Sequence, residues 1–405
     1  MSSQHGQAVL PPSANLQIKA GSFWANLPKI GVGVGVIGLG ASIGLSLDNL
    51  KQFYFSYLVA YIYFLSIALG AMFFVLSHYC AKAGWNVVVR RIAENIMGTM
   101  PLFVLLFIPI VFGAHDIFHH WTDAETVAND PILKSKEAYL NLPFFYIRAA
   151  FYLGSWYYIA RYVLKRSIEQ DKTGDHSLTS KLQSRAAPLI LLYGLTQSYA
   201  AFDWIMSLDP HWYSTMFGVC FFAGSAIAIF SLVALIAGGL QKSGYLEGVV
   251  TVEHYHDLGK FLFGFVIFWT YVGFSQYMLI WYANIPEETL WFMHRQEGGW
   301  ENVSLFLIIA HFILPMFFLL PRTIKRIRPA LLFAAAWMLC VHYVDLYWQI
   351  MPVAHHHFHA SIVDLTTVIG VGGFFFAYLG HLLKKNPLAP LKDPRLDESL
   401  VFNNP

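Results

Sequence analysis

Ten apolar runs, each close to the twenty or so residues that a helix needs to cross the hydrocarbon layer of a bilayer, follow one another along this chain. They fall at about 28–47, 52–77, 93–114, 142–164, 187–207, 213–239, 258–282, 301–320, 329–349 and 362–383. Lipid offers no partner to a free backbone N–H or C=O, so each run is expected to be helical. Composition points the same way. Of 405 residues, 57% are hydrophobic and 12% charged, about half the charge that usually keeps a water-soluble domain in solution. The expected fold class is an all-α membrane protein of about ten transmembrane helices.

Charge sets the expected orientation. Of the 26 Lys and Arg, only Lys51, Lys134, Lys136 and Arg295 fall in the odd-numbered loops, while Arg148 and Arg161 lie inside the fourth span. The others sit in the N-terminal region, the even-numbered loops and the C-terminal tail. The positive-inside rule then places both termini in the cytoplasm, N-in and C-in. The polar opening segment, 1–27, lacks a basic region leading into a short apolar core, and reads as a retained cytoplasmic or interfacial tail.

A weak internal repeat organises the interior. The fifth span ends AFDWIMSLDP and the ninth YVDLYWQIMP, each with an Asp near its outer end, then Trp and Pro. HWYSTMFG opens the sixth span where QFYFSY opens the second. Two related four-helix bundles follow, spans 2–5 and spans 6–9, with two peripheral helices. The corresponding units are a first transmembrane helix at 28–51, a first bundle at 52–212 and a second bundle at 213–350. An outer His-rich loop with the last helix occupies 351–383, and a cytoplasmic tail 384–405. The glycine-rich first span, GVGVGVIGLGASIG, suits close helix packing in lipid.

Ionisable groups at membrane depth are costly and need either a partner or a purpose. Asp203 and Asp345 lie toward the outer ends of their spans, with His342 and Gln349 spaced to share a face with Asp345, and Tyr199 with Asp203. His311 is mid-span and is followed by Pro315. His115 and Asp116 close the third span, while Glu94, Glu253 and Asp257 stand at the cytoplasmic ends. Read functionally, these nine groups (Asp203, Asp345, His342, His311, His115, Asp116, Glu94, Glu253 and Asp257) form a proton-transfer path, since carboxyls shifted by burial and imidazoles titrate near neutrality. Read structurally, they pair with one another or with Arg148. The outer groups His115, Asp116 and Asp203 are also the candidates for binding a quinol. No group is assigned as catalytic in the bond-making sense.

The cysteines Cys80, Cys220 and Cys340 stand alone. No CxxC, CxxCH or four-cysteine set appears, so no covalent haem or iron–sulfur site is expected. His311 and His342 could ligate at most one haem. The run His355, His356, His357 and His359 is read as a docking surface in preference to a metal site, and no metal is assigned. A net charge of +2 without a basic aromatic run argues against nucleic acid.

The segment Tyr199 to Gly218, YAAFDWIMSLDPHWYSTMFG, together with GAHDIFHHW at 113–121 and the span count, resembles one membrane component of alternative complex III, a bacterial quinol:cytochrome c oxidoreductase. The component is the second of its two quinone-binding membrane proteins, the F component. That family is similar to the NrfD/PsrC-like membrane subunits. The resemblance implies a multi-pass protein of the bacterial inner membrane that binds no cofactor itself, with quinol as its one candidate ligand. Haem c and iron–sulfur clusters would reside in partner subunits. Implied partners are the sister NrfD-like membrane protein (the C component), an iron–sulfur protein, multihaem and monohaem c-type cytochromes, small membrane subunits and lipids. Its expected role is proton transfer and packing against the sister component. Direct quinol binding and a stand-alone secondary transporter are the alternatives.

Overall fold

The computed structural model describes Leu10, Pro11 and residues 14–404; the first nine residues of the expected 1–27 tail, with Pro12, Ser13 and Pro405, lie outside the described residues. Among the described residues every regular element is helical. Ten long stretches stand out: α1 (Phe23–Leu45), α2 (Leu50–Cys80), α3 (Val87–Phe112), α4 (Leu142–Thr173), α5 (Ser177–Trp204), α6 (Phe217–Lys242), α7 (Val252–Ala283), α8 (Trp300–Leu319), α9 (Arg328–Ile350) and α10 (Ile362–Lys385). Eight are long and apolar enough to cross a membrane. The other two, α4 and α5, have the length, but Arg148, Arg161, Gln197 and Asp203 dilute their apolar stretches.

A helix hydrophobic on all sides belongs in the middle of its neighbours, and α2 is such a helix. It touches α3, α5, α6, α9 and α10. A methyl group at Gly70 would strike the Ser225 carbonyl of α6, so the two central backbones meet there. Contacts run α2–α3–α4–α5 and back to α2, and again α6–α7–α8–α9 and back to α6. At the side, α1 lies along α10. A Cβ at Gly31 would come 2.6 Å from the Gly373 carbonyl, and one at Gly38 the same distance from Gly370 Cα. The glycines of the first span therefore serve close approach between backbones.

The connections are more structured than their polarity suggests. The 115–141 loop holds short helices, among them His119–Thr122 and Pro131–Lys136. They dock on the turn after α5 through Trp121 Nε1 donating to the Ser207 carbonyl (3.1 Å) and Lys136 Nζ to Pro210 O (2.6 Å). His211 meets Asp130 there at 2.6 Å, and that hydrogen bond holds the Asp130 carboxyl below its usual range.

The C-terminal segment is not a free tail. Leu388 N donates to Leu16 O at 2.8 Å, Leu388 and Ala389 are fully buried, and Ser399 Oγ donates to Trp85 O at 2.7 Å. The segment lies across the basic end of the helices, where its leucines leave water.

Candidate functional site

Asp203 closes α5, and its carboxylate is enclosed. Arg148 of α4 donates from Nε to Oδ2 (2.7 Å) and from Nη2 to Oδ1 (3.1 Å), while Tyr152 OH donates to Oδ2 at 2.8 Å. Nη1 of the same arginine donates to Tyr139 O (2.8 Å), and the guanidinium lies 3.8 Å from the centre of the Tyr139 ring. Both ends of this bidentate pair are thus spoken for, and both are buried. Tyr199 does not join them. It is 47% exposed, because the four-residue step turns its ring outward onto Phe202.

Asp345, near the end of α9, meets different company. Trp269 Nε1 of α7 donates to Oδ2 (3.2 Å) and Gln349 Nε2 to Oδ1 (3.1 Å). Among the described residues no cation reaches it. One turn back, His342 Nε2 lies 2.8 Å from Ser66 Oγ of α2, and a Cβ on Gly224 of α6 would come 2.7 Å from the same ring. His311 of α8 stacks on Trp269 with ring centres 3.7 Å apart. His311, His342 and Asp345 are all buried. Both nitrogens of His311, Nδ1 of His342 and Oε1 of Gln349 have no hydrogen-bond partner among the described residues. Buried polar atoms in this state ordinarily bond ordered water or a ligand.

The backbone around His311 is shaped for its position. Ile308–Ile313 forms a π-helical turn just before Pro315. Pro315 has no N–H to give, and the Ala310 carbonyl accepts from Trp337 Nε1 at 2.8 Å. Single π turns in α-helices recur at functional sites because they swing one side chain out of register.

The remaining expected groups lie apart from this cluster. His115 and Asp116 are exposed; His115 Nδ1 lies 3.0 Å from Thr122 Oγ1, and among the described residues no hydrogen bond or ion pair joins either group to Asp203 or Asp345. Glu94 is buried between Arg90 (3.2 Å) and Arg91 (2.9 Å), with Ser167 Oγ donating to it at 2.8 Å. Arg90 also pairs with Asp393 of the C-terminal segment, and Arg91 with Asp171 at 2.8 Å. Glu253 pairs with Arg326 at 2.7 Å, and Asp257 with Lys260 at 2.5 Å and Asn404 at 3.0 Å. The three acids at the basic end are therefore fixed in ion pairs, and they pin the C-terminal segment.

Sequence reading missed Trp269, Ser66 and Gly224, which make the Asp345 site, and Asp364. That last carboxylate caps α10 and accepts from Ser56 Oγ (2.5 Å), Gln52 Nε2 (3.0 Å) and Tyr347 OH (3.0 Å). In the His-rich loop, His355 Nε2 faces Gln52 Oε1 at 2.5 Å, and burial draws its imidazole below the usual range. The loop is tied to the α7–α8 connection by Phe358 N donating to Gly298 O at 2.8 Å. Among the described residues no group of three His, Cys, Asp or Glu side chains is close enough to hold a metal ion.

Eight apolar membrane-length helices and a core holding buried carboxyls and imidazoles define a helical, multi-pass membrane protein. No family model matches the chain, and no curated protein matches it.

Proposed function

We propose that this chain is a proton-conducting, cofactor-free membrane subunit of a bacterial respiratory quinol:electron-acceptor oxidoreductase of the alternative complex III type. The basic end faces the cytoplasm, all ten long helices span the inner membrane, and α2–α5 and α6–α9 act as two related bundles. Its companions are a sister NrfD-like membrane protein and subunits carrying iron–sulfur clusters and c-type haems. The motif DWIMSLDPHWYST and the buried titratable groups support this reading.

One observation carries the proton role: Asp345, His342 and His311 are packed into the α6–α9 side with, among the described residues, no cation beside them and with buried polar atoms left unpaired. A carboxyl free of a fixed ion pair can change its proton without breaking the fold, and an imidazole can take a proton at one nitrogen while releasing it from the other. Asp203 serves the same assembly as a structural pair with Arg148. Quinol oxidation releases protons, and this chain would carry protons across the membrane beside it.

The test compares two isosteric variants in the complex reconstituted into liposomes. Asp345→Asn lowers the protons moved per electron while the complex assembles; Asp203→Asn lowers yield and thermal stability and leaves that ratio unchanged in what survives. An unaltered ratio in Asp345→Asn sinks the proton role. Purification of the chain alone as a complete, active unit sinks the assembly.

A further inference from the structure

Arg161 belongs to none of the ion pairs or buried clusters among the described residues. It stands inside α4, is exposed, and makes no hydrogen bond or ion pair among the described residues. Its depth follows from its neighbours. Leu164, one turn nearer the basic end, packs level with Gly98 of α3 and Leu382 of α10, just short of Lys384 and Lys385. Arg161 therefore lies about a turn deeper into the bilayer than the level where the lysines of α10 end the hydrocarbon, and on the outside of the molecule. Lys165 follows four residues later on the same exposed stripe. Glu169, the next acid along, forms no ion pair with it among the described residues. Arg166 turns aside onto the Tyr162 ring, 3.6 Å away.

Directly outward of Arg161 the same stripe borders a groove of about 660 Å³ between α3 and α4. Pro101, Val104 and Ile108 line one wall, and Ala150, Gly154 and Tyr157 the other. Nothing lies within 4 Å of a Cβ built on Gly154, so the groove floor is open. Its α4 wall runs from Tyr146 to Tyr157, about 16 Å of helix, close to the roughly 15 Å half-thickness of the hydrocarbon core.

An apolar slot one leaflet long, ending at two cations that form no ion pair among the described residues, matches one molecule: a phospholipid with an anionic headgroup. We propose that the α3–α4 groove is a specific seat for an anionic glycerophospholipid of the leaflet at the basic end. One acyl chain lies along Gly154 and Ala150, and the phosphate is held by Arg161 and Lys165, whose long stems reach toward the headgroups. Charge complementarity separates this occupant from a transmembrane helix of a partner, which would bring no phosphate to Arg161. The inference is independent of the proton role.

The measurement is native mass spectrometry of the full chain, extracted in mild detergent and exchanged against phosphatidylglycerol or phosphatidylcholine. The parent retains one phosphatidylglycerol in preference to phosphatidylcholine. Arg161→Gln with Lys165→Gln cuts that preference about tenfold. Gly154→Leu, which fills the slot, cuts retention of both lipids. All three positions are exposed, and an unchanged unfolding temperature verifies that the fold is intact. An equal headgroup preference in parent and double variant overturns the proposal. So does a Gly154→Leu variant that keeps its lipid but sheds a membrane partner, which would assign the groove to a helix.

Discussion

Asp203 and Asp345 occupy matching places, each near the end of a helix and followed by a Trp and then a Pro, yet they are opposite in kind. The Asp203 carboxylate itself is committed: it takes two guanidinium bonds and a tyrosine hydroxyl, and the third guanidinium nitrogen of the same arginine is used as well. Nearby, Trp156 Nε1 donates to Thr196 Oγ1 at 2.9 Å. Around Asp345 the partners are neutral, and among the described residues ring nitrogens one turn away on α9 and across on α8 stand unpaired. The cost of burying a charge identifies both residues as significant and distinguishes neither. What separates them is how that cost is met. A fixed cation meets it by locking the protonation state; neutral donors meet it while leaving the proton free to move.

The strongest way to break this contrast is to remove Arg148. Arg148→Gln leaves Asp203 buried beside Tyr152 without its counter-charge, and the expected loss is about 3–5 kcal/mol, read as a collapse in yield or a large fall in unfolding temperature. The double variant Arg148→Met, Asp203→Leu removes the charge as well as the partner and recovers most of that loss. If the single variant proves as stable as the parent, Asp203 is not held by a structural ion pair and the two sites are alike after all.

A smaller effect is expected at Gly224. An alanine there places its methyl group 2.7 Å from the His342 ring and 3.9 Å from Asp345 Oδ2, so the imidazole must turn. Overpacking of this size costs about 1–3 kcal/mol. Gly224→Ala removes no titratable group, so a drop in protons moved per electron would sharpen the assignment to the geometry around His342. Unchanged coupling would place the route elsewhere.

Why the sequence separates the helices so well and the two aspartates so poorly has a physical answer. Membrane length and apolarity are properties of a single segment, so the run at 52–77 falls inside Leu50–Cys80 and that at 258–282 inside Val252–Ala283. A partner is a property of two segments. Asp203 and Arg148 are 55 positions apart, and spacing along one helix says nothing about which side chain an adjacent helix supplies. Even within a helix the spacing misleads near a boundary, as Tyr199 does. Arg90 and Arg91 count in the sequence as loop charges that set orientation, yet both are buried in ion pairs with Glu94, Asp171 and Asp393. The C-terminal segment reads as polar because its charges are conspicuous, while the few leucines that anchor it are not. Gly224 and Trp269 carry no signal of their own, since small and aromatic residues are ordinary in membrane helices.

The smallest expected effect is also the most discriminating. His311 is buried with both ring nitrogens unpaired among the described residues, so replacing it with an apolar residue of similar breadth removes an unsatisfied polar group. His311→Leu should therefore shift stability by no more than about 1 kcal/mol in either direction. Thr196→Val on α5 withdraws the acceptor of a buried indole N–H and should cost about 1–3 kcal/mol. Unfolding temperatures of the two variants, measured in the same detergent, give the ranking directly. Should His311→Leu prove the more damaging, its nitrogens are held by fixed partners in the folded protein, and the imidazole is as locked as Asp203. If the ranking holds while His311→Leu lowers coupling, the histidine is spared a structural duty and its ring is free to carry protons.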